Sequence, residues 1–158
     1  PYLQGRSESI VTLDGLIEMD YGQWSGKSLA SLSRTKMWRE IQNRPSSVRF
    51  PDGENFVEMQ ARAIDAISTA ARGHKRILVI SHGDVIKAIV AFHLGLALDQ
   101  FQRISIDPAS ITRISVPHSQ VIQVNSIAHL AHVPRSTGGR LSTRERLSMQ
   151  LGGGSGQA

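Results

Sequence analysis

The clearest pattern along the chain lies between Asn55 and Gly73. Phe56, Met59, Ala63, Ile67 and Ala71 recur at helical spacing with polar positions between them, which predicts an amphipathic helix with one apolar face. Asn55 is placed to cap this helix, Glu58 three residues on completes a capping box, and Gly73 ends it. Glu58 and Arg62 stand four apart and are expected to pair on the surface. Ile77-Leu78-Val79-Ile80 follows a different pattern, a continuous β-branched-rich run that predicts a strand buried on both faces. After Ser81-His82-Gly83, a second and more apolar helix is expected from Asp84 through about Leu94, and Leu98–Arg103 also reads as helical. Ile111–Val116 and Gln120–Asn125 predict two strands joined as a hairpin at Pro117-His118.

The pattern is weaker upstream. Ile10–Leu13 predicts a short strand or an extended entry segment. Gly15–Lys27 reads as a loop in which Glu18, Asp20, Tyr21, Gly22, Trp24 and Gly26 crowd together. Ser28–Ser33 and Lys36–Asn43 predict short helices, the second stopped by Arg44-Pro45, and Pro51-Asp52-Gly53 predicts a turn. Helix, buried strand, helix and then strands imply an α/β domain with helices on both faces of a sheet. A strand buried on both sides needs neighbours on both sides, and the visible strands barely supply them. Further sequence is therefore expected upstream of Pro1.

Composition changes this picture mainly at the C-terminus. Pro134–Ala158 is rich in Ser, Gly, Arg and Gln and ends in a Gly-Ser run, so it is expected to be disordered, with at most a short frayed helix over Thr143–Leu151. That tail carries four arginines against one glutamate, whereas the rest holds 14 basic and 12 acidic residues. The formal charge of +5 is thus chiefly a property of the tail, and no nucleic-acid partner is expected for the body. No run of 18 apolar residues exists, so no membrane partner is expected either. The chain has no cysteine, which excludes disulfides, thiolate catalysis and cysteine-based metal sites. That is compatible with a reducing compartment, and a cytoplasmic location is expected.

The most informative candidate for chemistry is the junction at Ser81-His82-Gly83. Ligands of α/β sheets bind beyond the carboxyl ends of strands, and a helix N-terminus there offers free N–H groups to an anion. Gly83 lets the backbone approach closely, and His82 either points into that crevice or caps and packs at the strand end. Glu18, in a loop with glycines and aromatics, is the second candidate, against the reading of a solvated acidic residue; Asp20 carries the same ambiguity. His74 is expected to be exposed, His93 to be a satisfied half-buried histidine, and His118 to lie in the hairpin turn. His129 and His132 have no third ligand in view, so no metal site is expected. Trp24 and Trp38 are read as packing residues, and no phosphate-loop motif is present.

Several segments, in register, resemble the histidine phosphatase superfamily, which includes the phosphoglycerate mutases. Leu16-Ile17-Glu18-Met19-Asp20-Tyr21-Gly22-Gln23-Trp24-Ser25-Gly26 is similar to its Leu-x-Glu-x-x-x-Gly-x-Trp-x-Gly pattern. Pro51-Asp52-Gly53-Glu54-Asn55 with Glu58 and Arg62, Ile80-Ser81-His82-Gly83, and the closing segments Ser110–Ile114 and Val124–Leu130 continue the match, which runs from about Leu13 to Leu130. Ser81–Ala88 with Asp107-Pro108-Ala109-Ser110 is most similar to a group described as probable phosphomutases. The resemblance implies a three-layer α/β/α sandwich with a mostly parallel sheet whose first strand is missing. Residues 1–133 would be the C-terminal part of one domain and residues 134–158 the tail.

The resemblance further implies phosphoryl transfer on a small phosphorylated metabolite through a phosphohistidine, most simply hydrolysis, with no cofactor and no metal. Glu18 would be the general acid and base, His82 the second histidine, and Gly83 part of the phosphate site. The alternatives are a phosphomutase and an inactive phosphate-binding pseudoenzyme. The sequence departs from the family by lacking the Arg-His-Gly nucleophile motif and the Ser-Ser-Pro…Arg segment, for which Arg6 is no substitute. This piece alone is therefore expected to be inactive. Asp84 stands where a neutral residue is common, and would repel phosphate unless it turned away to cap the helix. Oligomeric state is not legible.

Overall fold

The computed structural model describes residues 10–131. The tail, the short helix expected at most over Thr143–Leu151, the boundary at residue 133, Arg6 and His132 lie outside the described residues. The amphipathic pattern forms helix α3, Phe56–Ala70, with the expected capping box: Asn55 Oδ1 accepts from the Glu58 N–H while the Glu58 carboxylate accepts from the Asn55 N–H. Phe56, Met59, Ala63 and Ile67 are buried, and Ala71, just past the helix, is only partly so. Helix α4, Gly83–His93, packs against α3 and buries Val85, Ala88 and Ile89 in the shared core, and the Gln60 side chain donates to the Ala88 carbonyl at 2.8 Å.

The remaining elements complete the core. Helix α1, Leu29–Leu32, is capped by Ser28, and α2, Lys36–Asn43, by Thr35, whose Oγ1 accepts from the Trp38 N–H at 3.1 Å. Helix α2 buries Trp38 and Ile41 and stops before Pro45. A 3₁₀ turn at Leu98–Arg103 delivers Phe101 to the interior. A file of aromatic contacts, Tyr21–Phe50–Phe56–Phe101, threads the core with centroid spacings of 5.2, 5.8 and 5.2 Å.

The predicted hairpin is present as β1, Ile111–Ser115, and β2, Gln120–Ser126, which are antiparallel across a turn at Val116–His118. Of the two readings of Ile10–Leu13, no strand forms, and Leu13 at its end is extended. One expectation fails. Ile77–Ile80 is neither a strand nor buried: Leu78 is 82% and Ile80 85% exposed. A strand exists only through the hydrogen bonds of its neighbours, and no described residue pairs with this run, so Leu78 and Ile80 stand uncovered while Val79 packs against the core. The sheet among the described residues is therefore the two-stranded β1–β2 pair.

Candidate active site

Glu18 lies in a loop that local packing pins in place. Two 3₁₀ turns, Asp14–Leu16 and Gly22–Trp24, frame it, and Leu16 and Met19 on either side of Glu18 are buried. Tyr21 and Trp24 meet Phe50 edge-on. Gly22 has φ +51° and sits so close to the 51–53 turn that a Cβ there would fall 2.1 Å from the Pro51 carbonyl oxygen. The Asp20 carboxylate accepts from the Gly22 N–H at 2.9 Å, so Asp20 shapes the loop.

Arg62 of α3 holds this loop from below. It donates to the carbonyls of Gly15, Ile17 and Glu18 at 2.9, 3.0 and 3.2 Å. It also makes a two-pronged contact with Glu54, Nε to Oε2 at 2.9 Å and an Nη to Oε1 at 2.5 Å. The expected Glu58–Arg62 pair is thus absent, and Glu58 instead pairs with Arg49. The reason is position: Glu54 lies before the helix beside the loop, where Arg62 can satisfy both a carboxylate and three carbonyls. Ser81 ties the loop to the following junction, its Oγ donating to the Leu16 carbonyl at 2.8 Å.

His82 is the N-cap residue of α4, and no side chain caps that helix end. Its Nδ1 lies 3.7 Å from Glu18 Oε2, so the structure brings together the two side chains singled out from the sequence, with Gly83 opening the helix beside them. The His82 side chain is half exposed and that of Glu18 24% exposed. Burial pushes the Glu18 carboxyl up to about 7; the Met19 N–H opposes this at 2.9 Å, and Asp84 adds to it. Asp84 is wholly buried and does not cap the helix as expected. It accepts from the Tyr21 hydroxyl at 3.1 Å and pairs with Lys87 at 3.2 Å, and Lys87 also donates to Gln102. Burial raises both the Asp84 carboxyl and the Tyr21 hydroxyl.

The other candidates fall away from this site. His74 is exposed and His118 lies in the hairpin turn. His93 is half-buried, but its Nδ1 is buried without a partner, because the surrounding helix face is apolar; burial lowers its pKa. Trp38 packs in the core and Trp24 against it. Among the described residues no three His, Asp or Glu side chains converge as metal ligands. Reading the sequence alone missed the parts played by Glu54, Arg62 and Tyr21. The only signal for the first two was their place in the resemblance.

A profile of the histidine phosphatase superfamily (branch 1) matches residues 1–127. Over 133 residues the chain is 23% identical to phosphoserine phosphatase 1 of Hydrogenobacter thermophilus, covering 80% of this chain and 63% of that protein. Over 115 residues it is 30% identical to the probable phosphoglycerate mutase GpmB of Proteus mirabilis, covering 70% and 53%. The chain thus spans less than two thirds of the length of these relatives. The solved structure of Bacillus stearothermophilus YhfR superposes with a TM-score of 0.72 at 22% identity, covering 81% of this chain and 67% of that one, which shows a shared fold.

Proposed function

The chain belongs to the histidine phosphatase superfamily (branch 1), and from that premise we propose that the whole protein hydrolyses a small phosphomonoester through a phosphohistidine. A histidine supplied from outside these 158 residues attacks phosphorus, and the ester P–O bond breaks as the Glu18 carboxyl protonates the leaving oxygen. Glu18, now a carboxylate, takes a proton from water as the water oxygen attacks phosphorus; the P–N bond breaks, phosphate leaves and the histidine is regenerated. His82 and the N–H groups at Gly83 stabilise charge on the transferring oxygens. These steps use no metal and no cofactor. On the same reading, Ile77–Ile80 is an inner strand of a mostly parallel, three-layer α/β/α sheet completed by strands outside the described residues.

The observation that carries this reading is the 3.7 Å approach of His82 to Glu18 at the open end of α4, with the carboxyl raised to about 7. Such a group is populated both as acid and as base near neutrality, as a two-step transfer requires. Pairing of Asp84 with Lys87 and Tyr21 also turns its charge away from the phosphate position.

The test uses the upstream-extended protein with His82→Ala and Glu18→Ala on a panel of phosphomonoesters. Each variant is expected to lose about 10²–10⁴-fold in activity. Unchanged activity in both would mean that only the fold is shared. Likeness to phosphoglycerate mutases favours a second reading, transfer to a bound acceptor. A product assay with and without a bisphosphorylated primer separates the two.

A further inference from the structure

We propose that Arg62 is a positioning residue for the reaction: locked by Glu54, it holds the backbone of the Glu18 loop so that the carboxyl meets the leaving oxygen. This rests on the reading of Glu18 as the proton donor.

A guanidinium has five N–H donors, and every one of Arg62's is matched to a protein acceptor. Two go to the Glu54 carboxylate and three to the carbonyls of Gly15, Ile17 and Glu18. None remains for a phosphoryl oxygen, so in this arrangement Arg62 does not bind substrate. One of its acceptors is the carbonyl of Glu18 itself, so the peptide unit that carries the acid is held directly. Glu54 is fixed in turn, because its Oε1 also accepts from the Asp20 N–H at 2.9 Å and its own N–H donates to the Asp20 carbonyl.

The 3₁₀ turn at Asp14–Leu16 bonds the carbonyls of Leu13 and Asp14, and Ser81 takes that of Leu16. Arg62 serves the carbonyls of residues 15, 17 and 18, so every carbonyl from residue 13 to 18 has a donor. A lysine at this place would keep the charge but lose the planar fork that reaches four residues at once. Misplacing a reacting group by about 1 Å costs on the order of 10²-fold in rate.

The test exploits leaving-group chemistry. An alkyl phosphate must have its leaving oxygen protonated, whereas 2,4-dinitrophenyl phosphate releases a stable phenolate unaided. Arg62→Lys, Glu54→Gln and Glu18→Gln are compared on both esters in the upstream-extended protein. In Arg62→Lys, kcat/KM on the alkyl ester is expected to fall roughly 10–100-fold further than on the dinitrophenyl ester. Glu54→Gln should show the same selectivity. Losses that run in parallel on the two esters in both variants, while Glu18→Gln remains selective, would overturn the proposal and leave Arg62 a purely structural residue. Absence of selectivity in Glu18→Gln would instead remove the assignment of Glu18 as acid, and the proposal with it.

Discussion

Glu18 owes its properties to its surroundings. The folded value of about 7 lies above the ordinary 4.5, so between these pH values the folded protein keeps a proton that the unfolded chain releases. The stability this group contributes is therefore fully present below pH 4.5 and is lost as pH rises through 7. Glu18→Gln keeps the shape and the oxygen that accepts from the Met19 N–H, but cannot ionise. It should leave stability at pH 4 unchanged and raise it by about 1–3 kcal/mol at pH 8, read from urea midpoints. Equal midpoint differences at the two pH values would show that the carboxyl titrates near its ordinary value. Glu18 was legible as a candidate from its loop of glycines and aromatics, but so was Asp20, and only the resemblance singled Glu18 out. Its burial was not legible, because the groups that desolvate it are distant in sequence.

At the scale of elements, the segments that formed where expected are those stabilised from within. Helix α3 carries its own apolar stripe and capping box, and the hairpin carries its own turn. What failed was the pairing of Glu58 with Arg62. Four-residue spacing is a valid local rule, but an exposed pair of that kind is worth only a few tenths of a kcal/mol, so a better tertiary partner displaces it. The seating of the Glu18 loop on the 51–53 turn is the corresponding tertiary feature, and two glycines test it. Gly22 and Gly26 both have positive φ, but a Cβ at Gly22 meets backbone at 2.1 Å whereas one at Gly26 meets nothing within 4 Å. Gly26→Ala should cost about 1 kcal/mol, the conformational penalty alone. Gly22→Ala should cost at least about 2 kcal/mol more, because the turn must move. Equal losses in the two variants, measured by chemical denaturation, would show that the loop is not seated as described.

At the scale of the whole molecule, the helices pack into a continuous core, against which Val79 leans while Leu78 and Ile80 of the same run lie open. Leu78 and Ile80 together present large apolar side chains to solvent, next to backbone that no described strand pairs. Such a segment seeks a partner. The 158-residue chain is expected to self-associate through it, and Leu78→Lys with Ile80→Lys should lower its mass in light scattering while leaving the helical circular dichroism unchanged. An unaltered mass would place the association elsewhere.

By itself the sequence determined the helices, the Asn55–Glu58 capping box and the hairpin, each of which depends on periodicity, capping or turn chemistry within a few residues. Glu18 and His82 were candidates from their local setting, and only the resemblance gave them roles. Only the tertiary structure decided that Glu18 and His82, 64 positions apart, would lie 3.7 Å from one another. It alone decided that Arg62 would choose Glu54, that Asp84 would be buried against Tyr21 and Lys87, and that Ile77–Ile80 would stand unpaired. Burial and hydrogen-bond partnership across the chain are collective outcomes of packing, and no local window contains the groups that set them.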